Sequence, residues 1–212
     1  MIRTAPDLTS RLQEALKGEK PGLRAQLKMV PRPRPGQTVY TEVEATSVKA
    51  GVMILLYRRE KGWNVVLIRR PDTVLHHKNQ ISFPGGQVEA GEDAVQAALR
   101  ETREEIGVPP DGLAVLGALT PLYIPPSNFC VYPVVAVADG VLAFSPQTEE
   151  VAEVIEVPLD HLLEPATVRE EKWTIRGEQV DVPFYAIGHH KVWGATAMIL
   201  AEFLEFVSRA SE

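Results

Sequence analysis

Two hydrophobic periods alternate along this chain, one of about four residues and one of two, and their order predicts a mixture of helices and strands. From Asp7 to Gly18, Leu8, Leu12 and Leu16 recur at four-residue intervals, which predicts a short amphipathic helix. The following Pro31-Arg-Pro-Arg-Pro-Gly36 cannot be helical and reads as a linker or extended arm. Val48 to Tyr57 and Trp63 to Ile68 are dense in β-branched and aliphatic residues on either side of Gly62, so a hairpin or two neighbouring strands is expected. Leu113 to Leu122 and Val131 to Val137 read as further strands, with Pro121, Pro125, Pro126 and Pro133 interrupting or bordering them. Pro158 to Leu163 suits a short helix, and Trp173 to Arg176 with Val180 to Ala186 suit a pair of strands across Gly177. Trp193 to Ser208 closes the pattern as a helix. Its Ile199, Phe203 and Phe206, beside Leu200, Leu204 and Val207, form a wide apolar face best read as core, with a homodimer contact as the alternative.

One helical stretch departs from this plain alternation. In Arg100-Glu-Thr-Arg-Glu-Glu-Ile-Gly-Val108, at about 100° per residue, Glu101, Glu104 and Glu105 share one side of a helix. Val95, Leu99, Thr102 and Ile106 form the opposite, packing stripe. Ala94, Ala97 and Ala98 lie on the carboxylate side and are expected to leave room for a ligand. Gly91-Glu92-Asp93 begins the helix and Gly107 ends it in a left-handed cap. Three carboxylates so close repel one another, and a hard cation with oxygen ligands, Mg²⁺ or Mn²⁺, relieves that repulsion. A solvated acidic face is the plain alternative. Just upstream, Arg69, Arg70, His76, His77 and Lys78 offer donors suited to phosphate oxygens, and Gly85 and Gly86 let the backbone approach a ligand. Arg69, Arg70, His77, Lys78 and Gly85 are therefore the candidate substrate-binding residues.

Size and charge narrow the choice of ligand. The 212 residues, 45% hydrophobic, suffice for one sizeable core, and no internal repeat is evident. A net charge of -6 argues against a nucleic acid polymer as partner and favours a small phosphorylated molecule held by local groups. Cys130 is the only cysteine, which excludes an intrachain disulfide framework and reads as a small buried apolar residue. With no basic-then-apolar leader and no apolar run long enough to span a bilayer, a reducing cytoplasm is the expected location.

Gly86, Glu92, Arg100, Glu101, Glu104, Glu105, Gly107 and Val108 together resemble the Nudix box, G-x5-E-x7-R-E-U-x-E-E-x-G-U with U aliphatic. Only Thr102 departs, standing where an aliphatic residue is usual. The resemblance implies an α/β/α sandwich with a central mixed β-sheet and a loop-helix-loop catalytic motif, over residues 46–212. Residues 1–45 would form an N-terminal helix and Pro-rich extension. It also implies hydrolysis of a nucleoside diphosphate linked to another group, with Glu101, Glu104 and Glu105 holding Mg²⁺ or Mn²⁺ and the Gly86 carbonyl as a further ligand. Arg100 would orient these carboxylates or Glu92. The general base would be a box glutamate or one from a distant loop, Glu149 or Glu150, with Glu150 preferred.

The stretch from Leu67 to Gly86 also resembles the signature preceding the box in the coenzyme A pyrophosphatase branch of that family. Arg70, Phe83, Pro84, Gly85 and Gly86 fit, whereas Ile68, Pro71, Leu75 and Asn79 depart from it. Pro125 to Val135, Glu149 to Leu159 and Val192 to Leu200 look like later segments of the branch. This reading implies cleavage of coenzyme A or a derivative to adenosine 3′,5′-bisphosphate and 4′-phosphopantetheine. Leu75, in place of an Arg, keeps open ADP-ribose, NADH or a dinucleoside polyphosphate as substrate. A non-catalytic binding module is the other alternative, against which stand the retained glutamates.

Overall fold

The computed structural model describes residues 7–33, 46–60, 62–72 and 80–211. Two helices come first, α1 (Leu8–Lys17) and α2 (Gly22–Gln26), then strands β1 (Val48–Arg59), β2 (Gly62–Arg69), β3 (Ile81–Ser82) and β4 (Gly85–Gln87). Helix α3 (Ala94–Ile106) precedes β5 (Leu113–Ala118), β6 (Leu122–Ile124), β7 (Phe129–Ala138) and β8 (Glu153–Pro158). After α4 (Leu159–Leu162) come β9 (Val168–Ile175), β10 (Glu178–Ile187), β11 (His190–Val192) and α5 (Gly194–Ser211). The main sheet runs β3-β2-β1-β7-β5, with β4 on β1, β6 on β7 and β8 on β2. Its β1–β7 pair is parallel and the others are antiparallel, so the sheet is mixed. A second, three-stranded sheet runs β11-β10-β9.

The two-residue period of the strands divides the core into two layers. Ile54 and Leu56 of β1 face one side, with Val65, Leu67 and Val135, and are covered by Leu8, Leu12 and Leu16 of α1 and Phe203 and Phe206 of α5. Met53, Leu55 and Tyr57 face the other, with Val66, Ile68 and Val134, and are covered by Ala98 and Ile106 of α3. The architecture is thus an α/β/α sandwich. Among the described residues, no helix is long and apolar enough to cross a membrane.

One buried carboxylate pins α2 to the rest. Glu202 of α5 is fully buried and accepts from Gly22 N at 3.1 Å, Thr120 N at 3.2 Å, Thr120 Oγ1 at 2.7 Å and Gln26 Nε2 at 2.8 Å. A carboxylate buried away from water needs such a shell, and four hydrogen bonds supply it.

Several sequence expectations are corrected. Leu113 to Leu122 is not one strand: β5 ends at Ala118, and β6 begins at Leu122 beyond Pro121. Strand β7 runs straight through Pro133, whose carbonyl accepts from Leu119 N at 2.9 Å. Its missing N–H would face the same side, in the gap between the β5 and β6 pairings, so no ladder bond is lost. Ala97 and Ala98 do not leave room for a ligand. They are buried, because α3 lies so close on β1 that a Cβ on Gly51 would meet the Ala94 carbonyl oxygen at 2.0 Å. The small side chains serve close helix-on-sheet contact. Of Pro31 to Gly36, only the part up to Pro33 is described, and there Arg32 bridges to Asp181 on β10.

Candidate active site

Helix α3 is fixed at both ends by local chemistry. At its start Asp93 accepts from Val95 N and Gln96 N at 2.9 Å, while the Gln96 side chain accepts from Asp93 N, a reciprocal cap. At its end Gly107 adopts φ 74°, the left-handed conformation that closes a helix. The carbonyls left open at that end then recruit a distant loop. Ser145 N donates to Ile106 O at 2.9 Å and Gln147 N to Glu105 O at 3.0 Å. A Cβ on Gly107 would lie 2.8 Å from Cβ of Ser145, so only glycine lets the loop come this near. Thr102, the residue at odds with the box, is buried and donates its hydroxyl to Ala98 O at 2.6 Å, so its polarity is satisfied within the helix.

This docking brings three carboxylates together. One oxygen each from Glu101, Glu105 and Glu150 lie within 4.8 Å of one another. Glu105 is 1% exposed and accepts from Gly85 N at 2.8 Å. Burial, assisted by the charges of Glu101 and Glu150, pushes its carboxyl up to about 8. Glu101 is also raised by burial, against the pull of Arg100. Gly85 and Gly86, which open β4 rather than form the turn expected from the sequence, press on the cluster so closely that a Cβ on Gly86 would lie 2.3 Å from Glu101 Oε1. Glu104 stands outside the converging trio, on the more exposed side of the helix.

Arg100 ties the acidic surface together. It donates to Glu92 at 2.8 and 3.2 Å, to Glu101 at 2.8 Å, to Glu104 at 3.2 Å and to the Gln87 carbonyl at 3.1 Å. Its guanidinium holds the Glu92 carboxyl below its ordinary range, and Glu92 in turn raises Arg100, so both stay charged. The box glutamate at 92 therefore clamps the arginine.

The candidate phosphate-binding residues separate. Arg69 is bound to Glu153 across the β2–β8 pairing, its Nε 3.0 Å from Glu153 Oε2. Arg70 lies near enough for its charge to act on Glu105, and its buried Nε has no hydrogen-bond partner among the described residues. Gly85 spends its N–H on Glu105, so its contribution is to hold that carboxylate. His77 and Lys78, with His76, Leu75 and Asn79, lie outside the described residues. Sequence reasoning missed Glu153 as the partner of Arg69, since only the register of two strands far apart in sequence joins them.

Comparison with known proteins gives the class first. The NUDIX domain family matches residues 48–176, more than half of the chain, and the chain belongs to that family, the Nudix hydrolases. It is an enzyme that hydrolyses a diphosphate linkage. More closely, it is 31% identical over 185 residues to the uncharacterized Nudix hydrolase NudL of Photorhabdus laumondii, covering 87% of this chain and 94% of that protein. It is 39% identical over 139 residues to the human mitochondrial coenzyme A diphosphatase NUDT8, covering 62% of this chain and 57% of that protein. The crystal structure of a MutT protein from Methanosarcina mazei Go1 shares the fold, with a TM-score of 0.50 at 19% identity, covering 79% of this chain and 97% of that one.

Nudix hydrolases generally use a divalent cation such as Mg²⁺ or Mn²⁺, and the residues here fit one. The trio is all oxygen, the ligand type such hard ions take. Glu105 is buried beside two like charges, and Gly85 N and the charge of Arg70 offset its burial only in part, since its carboxyl is still pushed up.

Proposed function

We propose that this enzyme cleaves the diphosphate linkage of coenzyme A or a derivative, yielding adenosine 3′,5′-bisphosphate and 4′-phosphopantetheine, in the cytoplasm. The observation that carries the metal-dependent hydrolysis is the convergence of Glu101, Glu105 and Glu150 against Gly85 and Gly86 of β4. The choice of substrate is supported by the likeness to a coenzyme A diphosphatase and by Arg70 and Phe83 to Gly86, which fit the signature of that branch.

In this reading Glu101, Glu104 and Glu105, with the Gly86 carbonyl, hold Mg²⁺ or Mn²⁺. When bound, the ion supplies charge neutralisation on the diphosphate and acidifies water. Glu150, exposed to solvent at the mouth of the cluster, accepts the proton of the attacking water. Arg70, whose charge already acts on Glu105, binds a phosphate oxygen through its guanidinium. Arg69 holds Glu153 and so shapes the neighbouring wall, while His77 and Lys78 supply further phosphate contacts. Arg100, clamped by Glu92, fixes the orientation of Glu101 and Glu104.

A substrate panel with Mg²⁺ or Mn²⁺ tests the assignment. Coenzyme A is expected to turn over faster than ADP-ribose, NADH or a dinucleoside polyphosphate. Leu75, where the branch signature has an arginine, favours one of these rivals as the second reading. Turnover of a rival with coenzyme A untouched would establish it.

A further inference from the structure

A second group of metal-type donors lies beyond the acidic trio. The β10–β11 hairpin turns tightly, with Ile187 paired to His190, and so presents two adjacent histidines. The rings of His189 and His190 stand 3.8 Å apart between centroids, tilted by 40°. Opposite them is Glu153, the first residue of β8 in the main sheet, 3.3 Å through Oε1 from His190 Nε2. One nitrogen from each ring and one oxygen of Glu153 lie within 4.8 Å of one another. The His190 side chain is only 9% exposed, and the hydrogen bond to Glu153 accounts for it alone. It leaves unexplained why the His189 ring, outside that bond, brings a nitrogen to the same point.

We propose that Glu153, His189 and His190 form a second metal site, which takes a borderline transition cation such as Zn²⁺. Two imidazoles and one carboxylate are the donor set such ions take, in contrast to the all-oxygen trio that suits Mg²⁺ or Mn²⁺. Donors sharing one zinc ion stand roughly 3–3.5 Å apart. The Glu153–His190 pair has that spacing already, and the exposed His189 holds a ring nitrogen within 4.8 Å of both ligand atoms. Arg69 supports the arrangement, since its Nε holds the other oxygen of Glu153 and leaves Oε1 turned toward the rings. The same contact keeps the carboxyl below its ordinary range and therefore charged. Three protein ligands leave a fourth position for water or an anion. Because Glu153 belongs to the main sheet and the histidines to the three-stranded one, a bound ion clips the two sheets together.

The test uses the full chain carrying Glu101→Gln and Glu105→Gln, so that the acidic trio no longer competes. Titrated with Zn²⁺, this variant is expected to bind one ion with a rise in melting temperature, and Co²⁺ in its place to give a visible spectrum typical of imidazole ligation. Adding His189→Ala, an exposed change that spares the core, is expected to weaken Zn²⁺ binding at least about tenfold. Adding His190→Ala instead should do the same, with metal-free melts recorded for both. Absence of Zn²⁺ binding in the starting variant, or an affinity unmoved by His189→Ala, would overturn the proposal. Either result would leave the assignment of the acidic trio standing.

Discussion

Two buried glutamates in this protein, Glu202 and Glu105, have nearly the same exposure and opposite surroundings. Glu202 receives four hydrogen bonds from three residues and has no use for a further charge. Glu105 receives one, from Gly85 N, among the described residues, and faces two other carboxylates. Completing the shell makes a carboxylate a structural pin, whereas the incomplete shell of Glu105, offset only in part by the charge of Arg70, is what the proposed cation would complete. Burial alone does not distinguish function from support. The count of donors does.

The largest expected effect separates the two by activity. Glu105→Gln should lower metal-dependent turnover by at least about 100-fold while leaving the metal-free melt near neutral pH undiminished, since burial already keeps this carboxyl protonated up to about 8 and glutamine is its neutral counterpart. Full activity in that variant would erase the contrast. In the other direction, Glu202→Gln sets an amide donor among donors and should lower stability by roughly 2–4 kcal/mol in denaturant titration, with the metal dependence of turnover unchanged. Addition of Mg²⁺ sharpens the comparison further: at a hundred times its Kd it should stabilise the wild type by about 2.7 kcal/mol, and Glu202→Gln equally, but Glu105→Gln much less.

The smallest effect is one of pH. Glu105 is raised from an ordinary value near 4.5 to about 8, so the folded state holds this proton more tightly than the unfolded chain does. Its contribution to stability is fully present below about 4.5 and is lost as pH rises through about 8. Metal-free melts should therefore decline across that window, saturating Mg²⁺ should flatten the decline, and Glu105→Gln should lack it.

Local rules in the sequence reached as far as the helix. A spacing of four residues placed Glu101 and Glu105 on one face, and Gly107 marked where the helix ends. The strands of both sheets showed in their β-branched content, and the core helix at the C-terminal side showed in its wide apolar face. What did not show depends on register and closure. Arg69 meets Glu153 because β8 pairs with β2, and no spacing along the chain announces that. Ala97 and Ala98 read as room for a ligand, and that reading failed because nothing along the chain tells how near the helix comes to the sheet at Gly51. Thr102 looked like an exception and proved neutral once its hydroxyl found Ala98 O.

The segment that delivers Glu150 is suspended from the end of α3 by main-chain amides, at Ser145 and Gln147, and folds back on itself through Val151 N to Gln147 O at 2.8 Å. Main-chain amides are indifferent to the side chains they carry. Substitutions other than proline at 145 and 147 should therefore cost little rate, whereas any replacement of Gly107 should unhook the strap and take the third acid with it.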